Sequence, residues 1–87
     1  YLMYYIYILK SLKDSRYYVG CTNNIDKRLK QHNSNSGINR YTKGKGPWKV
    51  VYNETHGSLS EARHRERQIK SWKKRRAIEK LISAAFV

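Results

Sequence analysis

Acidic residues are scarce in this chain. Six Asp and Glu stand against nineteen Lys and Arg, a formal net charge of +13 over 87 residues. Self-repulsion on that scale opposes compaction, so the excess does not serve the fold. It calls for a polyanionic partner. Nucleic acid fits better than an anionic membrane, because the basic segments are rich in Arg and lack a continuous apolar face. Cysteine is nearly absent, and Cys21 alone excludes an internal disulfide. It follows Gly20 at a strand end and reads as a small structural residue, with no His/Asp arrangement around it to make a nucleophile. The single proline, Pro47, stands where a strand begins and costs no ladder bond there. No run approaches the apolar length of a membrane span, and no signal peptide is visible. The cytoplasm is the expected compartment, with no membrane as partner. Met3-Tyr4-Tyr5 reads as a natural start, with Tyr1 and Leu2 upstream of it. There is no internal repeat and no low-complexity tract.

What the chain has instead is aromatic: eight Tyr, two Trp and one Phe. Each carries a large apolar area, which enlarges the core a short chain can build. That length makes one domain, residues 1–87, with no room for two cores. Tyr4 to Lys10 is a run of aromatic and β-branched residues, a strand covered on both faces. Ser11 to Arg16 reads as a hairpin turn, and Tyr17 to Cys21 as the antiparallel return. A helix is expected from about Asn24 to Asn33, capped by Asn23 or Asn24. Ser34 to Gly46 is a long polar loop whose Arg40, Tyr41, Lys43 and Lys45 suit a nucleic-acid backbone and a stacked base. Trp48, Val50 and Tyr52 alternate with Lys49, Val51 and Asn53 in a third strand, with Trp48 in the core. Ser58-x-x-Glu61 is a capping box that opens a helix to about Arg75. A second helical segment, Ala77 to Ala85, follows. The expected class is α+β, a three-stranded antiparallel sheet with helices packed against it.

On the first helix Ile25, Leu29 and His32 fall on one stripe, with Arg28 beside it. Arg28 and His32 point at one place, which suggests a site for an anion. Five of the six acids have structural work. Asp14 fits the turn, Asp26 faces the helix dipole, Glu54 follows the third strand, Glu61 completes the capping box, and Glu79 pairs along its helix. Glu66 remains, leaning inward with Ala62, Ile69 and Trp72. Two readings are open there. One is an ion pair with Arg63, Arg67 or Lys70. The other is a ligand for Mg²⁺, which needs few protein carboxylates when phosphate and water complete its shell.

Tyr5-Ile6-Tyr7 and Tyr18-Val19-Gly20, with Arg28, His32 and Glu66, resemble the GIY-YIG nuclease domain. Tyr5-Ile6-Tyr7 stands where that family has Gly-Ile-Tyr, and Tyr18-Val19-Gly20 where it has Tyr-Ile-Gly. The resemblance covers nearly the whole chain and is closest to small stand-alone members akin to the N-terminal nuclease domain of the excision-repair machinery. It implies a DNA endonuclease of repair or recombination, with Mg²⁺ (or Mn²⁺) on Glu66. It also implies that Tyr7 helps activate water. Tyr18 would position phosphate or relay a proton. Arg28 would hold the scissile phosphate through its planar fork. Tyr7 would need nearby positive charge to ionise, with Arg28, His32 or another Tyr to supply charge or a hydrogen bond, and Gly20 would let the backbone turn tightly beside the site. Cys21 stands where some members carry Lys, and no Asn follows Asn53 where many place one beyond the metal glutamate.

The expected catalytic set is therefore Tyr7, Tyr18, Arg28, His32 and Glu66. The expected nucleic-acid contacts are Arg40, Lys43, Lys45, Lys70, Lys73 and Lys74. DNA is the expected partner, with RNA, a protein partner and a homodimer left open. A module that binds nucleic acid without cutting it is the competing reading, and a domain activated only by a partner is the third. Tyr7 and Tyr18 must share a face of the hairpin. They do so if they sit across from each other or if a bulge restores the phase. A register pairing Lys10 with Arg16 would send the two hydroxyls to opposite faces.

Overall fold

A computed structural model describes residues 3–33 and 46–85. The expected contacts Arg40, Lys43 and Lys45 lie outside the described residues, as does Tyr41. The elements run β1 (Tyr4–Ser11), β2 (Tyr17–Thr22), α1 (Ile25–Asn33), β3 (Trp48–His56), α2 (Leu59–Ser71) and α3 (Arg75–Ala84). The sheet is antiparallel in the order β2-β1-β3. It is the α+β architecture that the residue pattern calls for.

The central strand β1 explains its own sequence. It is paired on both sides and covered on both faces, so it reads as an unbroken apolar run. Ile6, Ile8 and Leu9 are fully buried and Tyr7 nearly so. Burial of each of these side chains contributes about 1.5–3 kcal/mol. On one face Ile6, Ile8 and Val19 meet Ala62 and Ile69 of α2, and Ile78, Leu81 and Ile82 of α3 pack against them. On the other face Tyr7, Leu9 and Trp48 meet Ile25 and Leu29 of α1. The helix starts are capped as their sequences dictate. Asn24 Oδ1 accepts from the Lys27 amide at 3.1 Å, and Ser58 Oγ from the Glu61 amide at 3.2 Å.

Three expectations change. Trp48, Val50 and Tyr52 do not share a face. Ile8 pairs with Tyr52 but Leu9 with Val50, which leaves Val51 as an extra residue. That bulge reverses the phase of β3. Trp48 and Val50 therefore face α1, while Tyr52 and Glu54 face α2. Glu54 lies inside the strand, not after it, and accepts from Arg65 Nε at 2.8 Å and from the Tyr52 hydroxyl at 3.2 Å. The Arg65 bond ties α2 to β3.

The long helix stops at Ser71 and a new one begins at Arg75. Lys73 between them takes a left-handed φ of 55°. The turn folds the apolar side of α3 back onto the sheet, where a straight helix would carry it into solvent. Arg75 fastens the result. Its Nη1 donates to the Ser15 carbonyl at 2.7 Å, and its guanidinium lies 4.7 Å over the Tyr17 ring. Among the described residues no helix is long and apolar enough to cross a membrane.

Candidate active site at the β2 edge

The hairpin register decides what the two motif tyrosines do. Lys10 pairs with Tyr17, Leu9 with Tyr18, and Tyr7 with Gly20. Residues opposite one another share a face, so Tyr7 and Tyr18 lie on the same face as diagonal neighbours. Neither direct opposition nor a bulge in this hairpin is needed, which corrects the condition drawn from alternation alone. The two ring centroids are 6.2 Å apart.

Gly20 is also corrected. It sits within β2, not at its end, and Tyr7 lies across it. A Cβ at Gly20 would fall on the Tyr7 hydroxyl, Cζ and Cε1. The glycine supplies space for the phenol, not a turn.

Helix α1 brings His32 beneath the same ring. The Tyr7 hydroxyl and His32 Nε2 are 3.0 Å apart in a buried hydrogen bond. The Tyr18 ring centroid is 4.8 Å from that of His32. His32 is 2 % exposed, so it is neither a cap nor a surface residue. Burial, with help from the Arg28 charge, lowers its pKa below the usual imidazole value. The ring is neutral at pH 7 and offers Nε2 as acceptor or donor according to tautomer.

Tyr7 is pushed the other way. Burial raises its pKa most, Tyr18 and Glu66 add to the rise, and Arg28 offsets only part of it. The phenol is a neutral hydrogen-bonding group whose partner is His32. One residue that the sequence did not single out holds this arrangement in place. Asn33 Oδ1 accepts from the Trp48 amide at 2.6 Å and its Nδ2 donates to the Trp48 carbonyl at 3.2 Å. The side chain mimics a strand partner and joins the end of α1 to the start of β3. An Asn at a helix end reads only as a local cap, so nothing in the sequence points from Asn33 to Trp48.

Arg28 and Glu66 approach from opposite faces of the sheet. Arg28 is half-buried on α1, and no ion pair among the described residues engages it. Glu66 sits on α2 between the buried Ala62 and Ile69, on the other face. Both charges act on Tyr7 and on Cys21. Burial and Glu66 raise the Cys21 pKa against the pull of Arg63 and Arg28.

Glu66 pairs with Lys70 at 2.8 Å. The carboxylate is 19 % exposed and the ammonium 51 %. Only Oε2 is committed, so Oε1 remains for a hard cation. Among the described residues no group of three His, Cys, Asp or Glu is placed to cage a metal. One carboxylate with an open oxygen fits a Mg²⁺-type ion that keeps most of its water and takes phosphate oxygens. Lys73 and Lys74 follow Lys70 in the turn between α2 and α3, and all three border a groove beside Tyr18.

Tyr7, Tyr18 and His32 thus pack together on one face of the sheet, with Arg28 on the same helix as His32 and Glu66 on the opposite face. The chain belongs to the GIY-YIG family: the GIY-YIG catalytic domain matches residues 3–80. This is a family of nucleases, and it implies a nucleic-acid substrate. Its members generally use a divalent metal. Within it the chain is similar to small stand-alone proteins. It is 44 % identical to UPF0213 protein CPE1444 of Clostridium perfringens over 98 % of this chain and 88 % of that one. A UPF0213 protein of Syntrophus aciditrophicus is 47 % identical over 76 % of this chain and 75 % of its own. The solution NMR structure of UPF0213 protein BH0048 from Bacillus halodurans superposes with a TM-score of 0.58 at 38 % identity. It covers 94 % of this chain and 84 % of that one.

Proposed function

We propose that the chain is a divalent-metal-dependent endonuclease that hydrolyses phosphodiester bonds in DNA, in the cytoplasm and in the service of repair or recombination. The observation that carries this is the buried Tyr7–His32 hydrogen bond, with the charges of Arg28 and Glu66 both acting on the phenol. Tyr7 receives a proton from the attacking water while passing its own to His32 Nε2, whose remaining proton is on Nδ1. A neutral His32 and a neutral Tyr7 are the states this relay needs, and burial favours both. Arg28 grips the non-bridging oxygens of the phosphate as charge builds on them. Tyr18, its ring tilted against that of His32, aligns the phosphate. The new bond joins water oxygen to phosphorus, the bond to the 3′ oxygen breaks, and solvent protonates that oxygen. The products are a 5′-phosphate and a 3′-hydroxyl. A divalent ion on Glu66 would supply Lewis-acid stabilisation of the leaving oxygen.

The Lys70 ion pair favours a second reading, in which Glu66 is structural and the basic surface binds nucleic acid without cutting it. One experiment separates the two. Wild-type protein and Glu66→Gln are incubated with plasmid, single-stranded and branched DNA in Mg²⁺, Mn²⁺ or EDTA. Cleavage by the wild type in metal alone, lost in Glu66→Gln with DNA binding intact or tighter, is expected. Full cleavage by Glu66→Gln sinks the metal assignment. Salt-sensitive binding with no cleavage of any substrate establishes the binding module instead.

A further inference from the structure

A groove of about 670 Å³ lies beside the β2 edge, apart from the tyrosine site. That volume is within the roughly 300–1,000 Å³ range of pockets that enclose a small organic molecule, on the scale of a nucleotide. It runs between the β2 edge and the junction of α2 with α3. Ile78 and the Tyr17 ring offer it apolar carbon, with the buried Val19 and Ile69 beneath them. Lys70, Lys73, Lys74 and Arg75 border it. Lys70, on the border of the groove, is the ion-pair partner of Glu66, so the groove adjoins the Glu66 side of the candidate site, across the sheet from Tyr7.

Apolar carbon enclosed by cations asks for a ligand with an apolar body and anionic flanks. Duplex DNA presents phosphates but keeps its bases stacked inside, so it would leave the lining wet. A membrane would need a broad apolar face, and this one is recessed. A single-stranded polynucleotide has both parts: an unstacked base for the aliphatic lining and phosphates for the lysines. The left-handed turn at Lys73 helps build the site, since it sets Lys73 and Lys74 on the border and returns Ile78 to the lining.

The geometry points to this groove as the seat of an unpaired nucleotide next to the scissile phosphate, so that the enzyme engages single-stranded or frayed DNA through base burial as well as charge. The inference rests on the nuclease reading for its direction toward the Glu66 side of the candidate site, but the binding it describes is measurable without cleavage.

The test compares fluorescent oligo(dT) with an abasic oligomer of equal length, in EDTA, using the full chain. The two carry the same phosphates and differ in their bases. Binding about tenfold tighter to oligo(dT) is expected. Ile78→Ser, at a half-buried position, should erase that difference and leave abasic binding unchanged, with retained helicity checked by circular dichroism. Equal affinity of the wild type for the two oligomers overturns the inference without any variant. So does an Ile78→Ser protein that keeps the full difference. Base-dependent binding with no cleavage in any metal defeats the nuclease reading and leaves the groove. Cleavage without base-dependent binding does the reverse.

Discussion

Replacing Gly20 with Ala tests the core of the site with one methyl group. The strand backbone there accepts alanine, so the effect comes from the Tyr7 ring that occupies the Cβ position. The ring contacts are with a buried phenol held by His32, not with a flexible side-chain end. Overpacking of this kind costs about 1–3 kcal/mol. Moving the ring also breaks the hydrogen bond and strands a buried imidazole nitrogen, about another 1–3 kcal/mol. The sum is about 2–6 kcal/mol. For a domain of this size each kcal/mol lowers the melting temperature by about 4–8 °C, so a fall of at least about 8 °C is expected. Cleavage should disappear at temperatures where the variant remains folded. Thermal unfolding followed by circular dichroism measures the first quantity. A double-mutant cycle with Tyr7→Leu isolates the cause, because leucine lacks the three atoms that the new methyl meets. In the Tyr7→Leu background Gly20→Ala should cost under about 1 kcal/mol, since the steric conflict is gone. A Gly20→Ala protein that melts and cuts like the wild type refutes the reasoning, as do penalties that simply add in the double variant.

Arg28→Ala should lower single-turnover cleavage by about 10²–10³-fold and weaken DNA binding with it, because the guanidinium holds phosphate in both ground and transition states; loss of rate with unchanged affinity would confine its role to the transition state. Cleavage should fall on the acid side only below pH 6.5, since His32 must be neutral and its pKa is lowered by burial and by Arg28. The same shift sets a stability trend: a folded pKa below the unfolded value contributes stability that is present above pH 6.5 and lost as pH falls through the folded pKa. Urea unfolding between pH 5 and 7 measures that slope, and a His32→Gln protein that keeps it would assign the trend elsewhere. DNA affinity should fall steeply with salt and vary little among sequences, as counterion release from many phosphates requires; salt-insensitive binding would remove the premise of a phosphate-gripping surface.

Much of this protein is legible in its residues because local rules act on them. The apolar run of β1, the Ser58 and Asn24 caps and the Ile25–Leu29–His32 stripe all follow from periods of two and of 3.6 and from cap chemistry. The surplus of Lys and Arg names a polyanion before any fold is known. The motif residues name the nuclease family.

Other features depend on contacts between segments far apart in the chain. The Tyr17–Lys10 register puts both tyrosines on one face, and a slip of one residue would have parted them. The Val51 bulge and the Lys73 turn are dictated by which surfaces remain to be covered, a property of the packed whole. Gly20 has an ordinary strand sequence around it, and only the ring of Tyr7 from the neighbouring strand explains the missing side chain. The pKa shifts of Tyr7 and His32 arise from desolvation, which no residue possesses until the sheet and α1 close over it. Charge and pattern are written along the chain. Enclosure, and the chemistry it creates, exists only once the chain has folded.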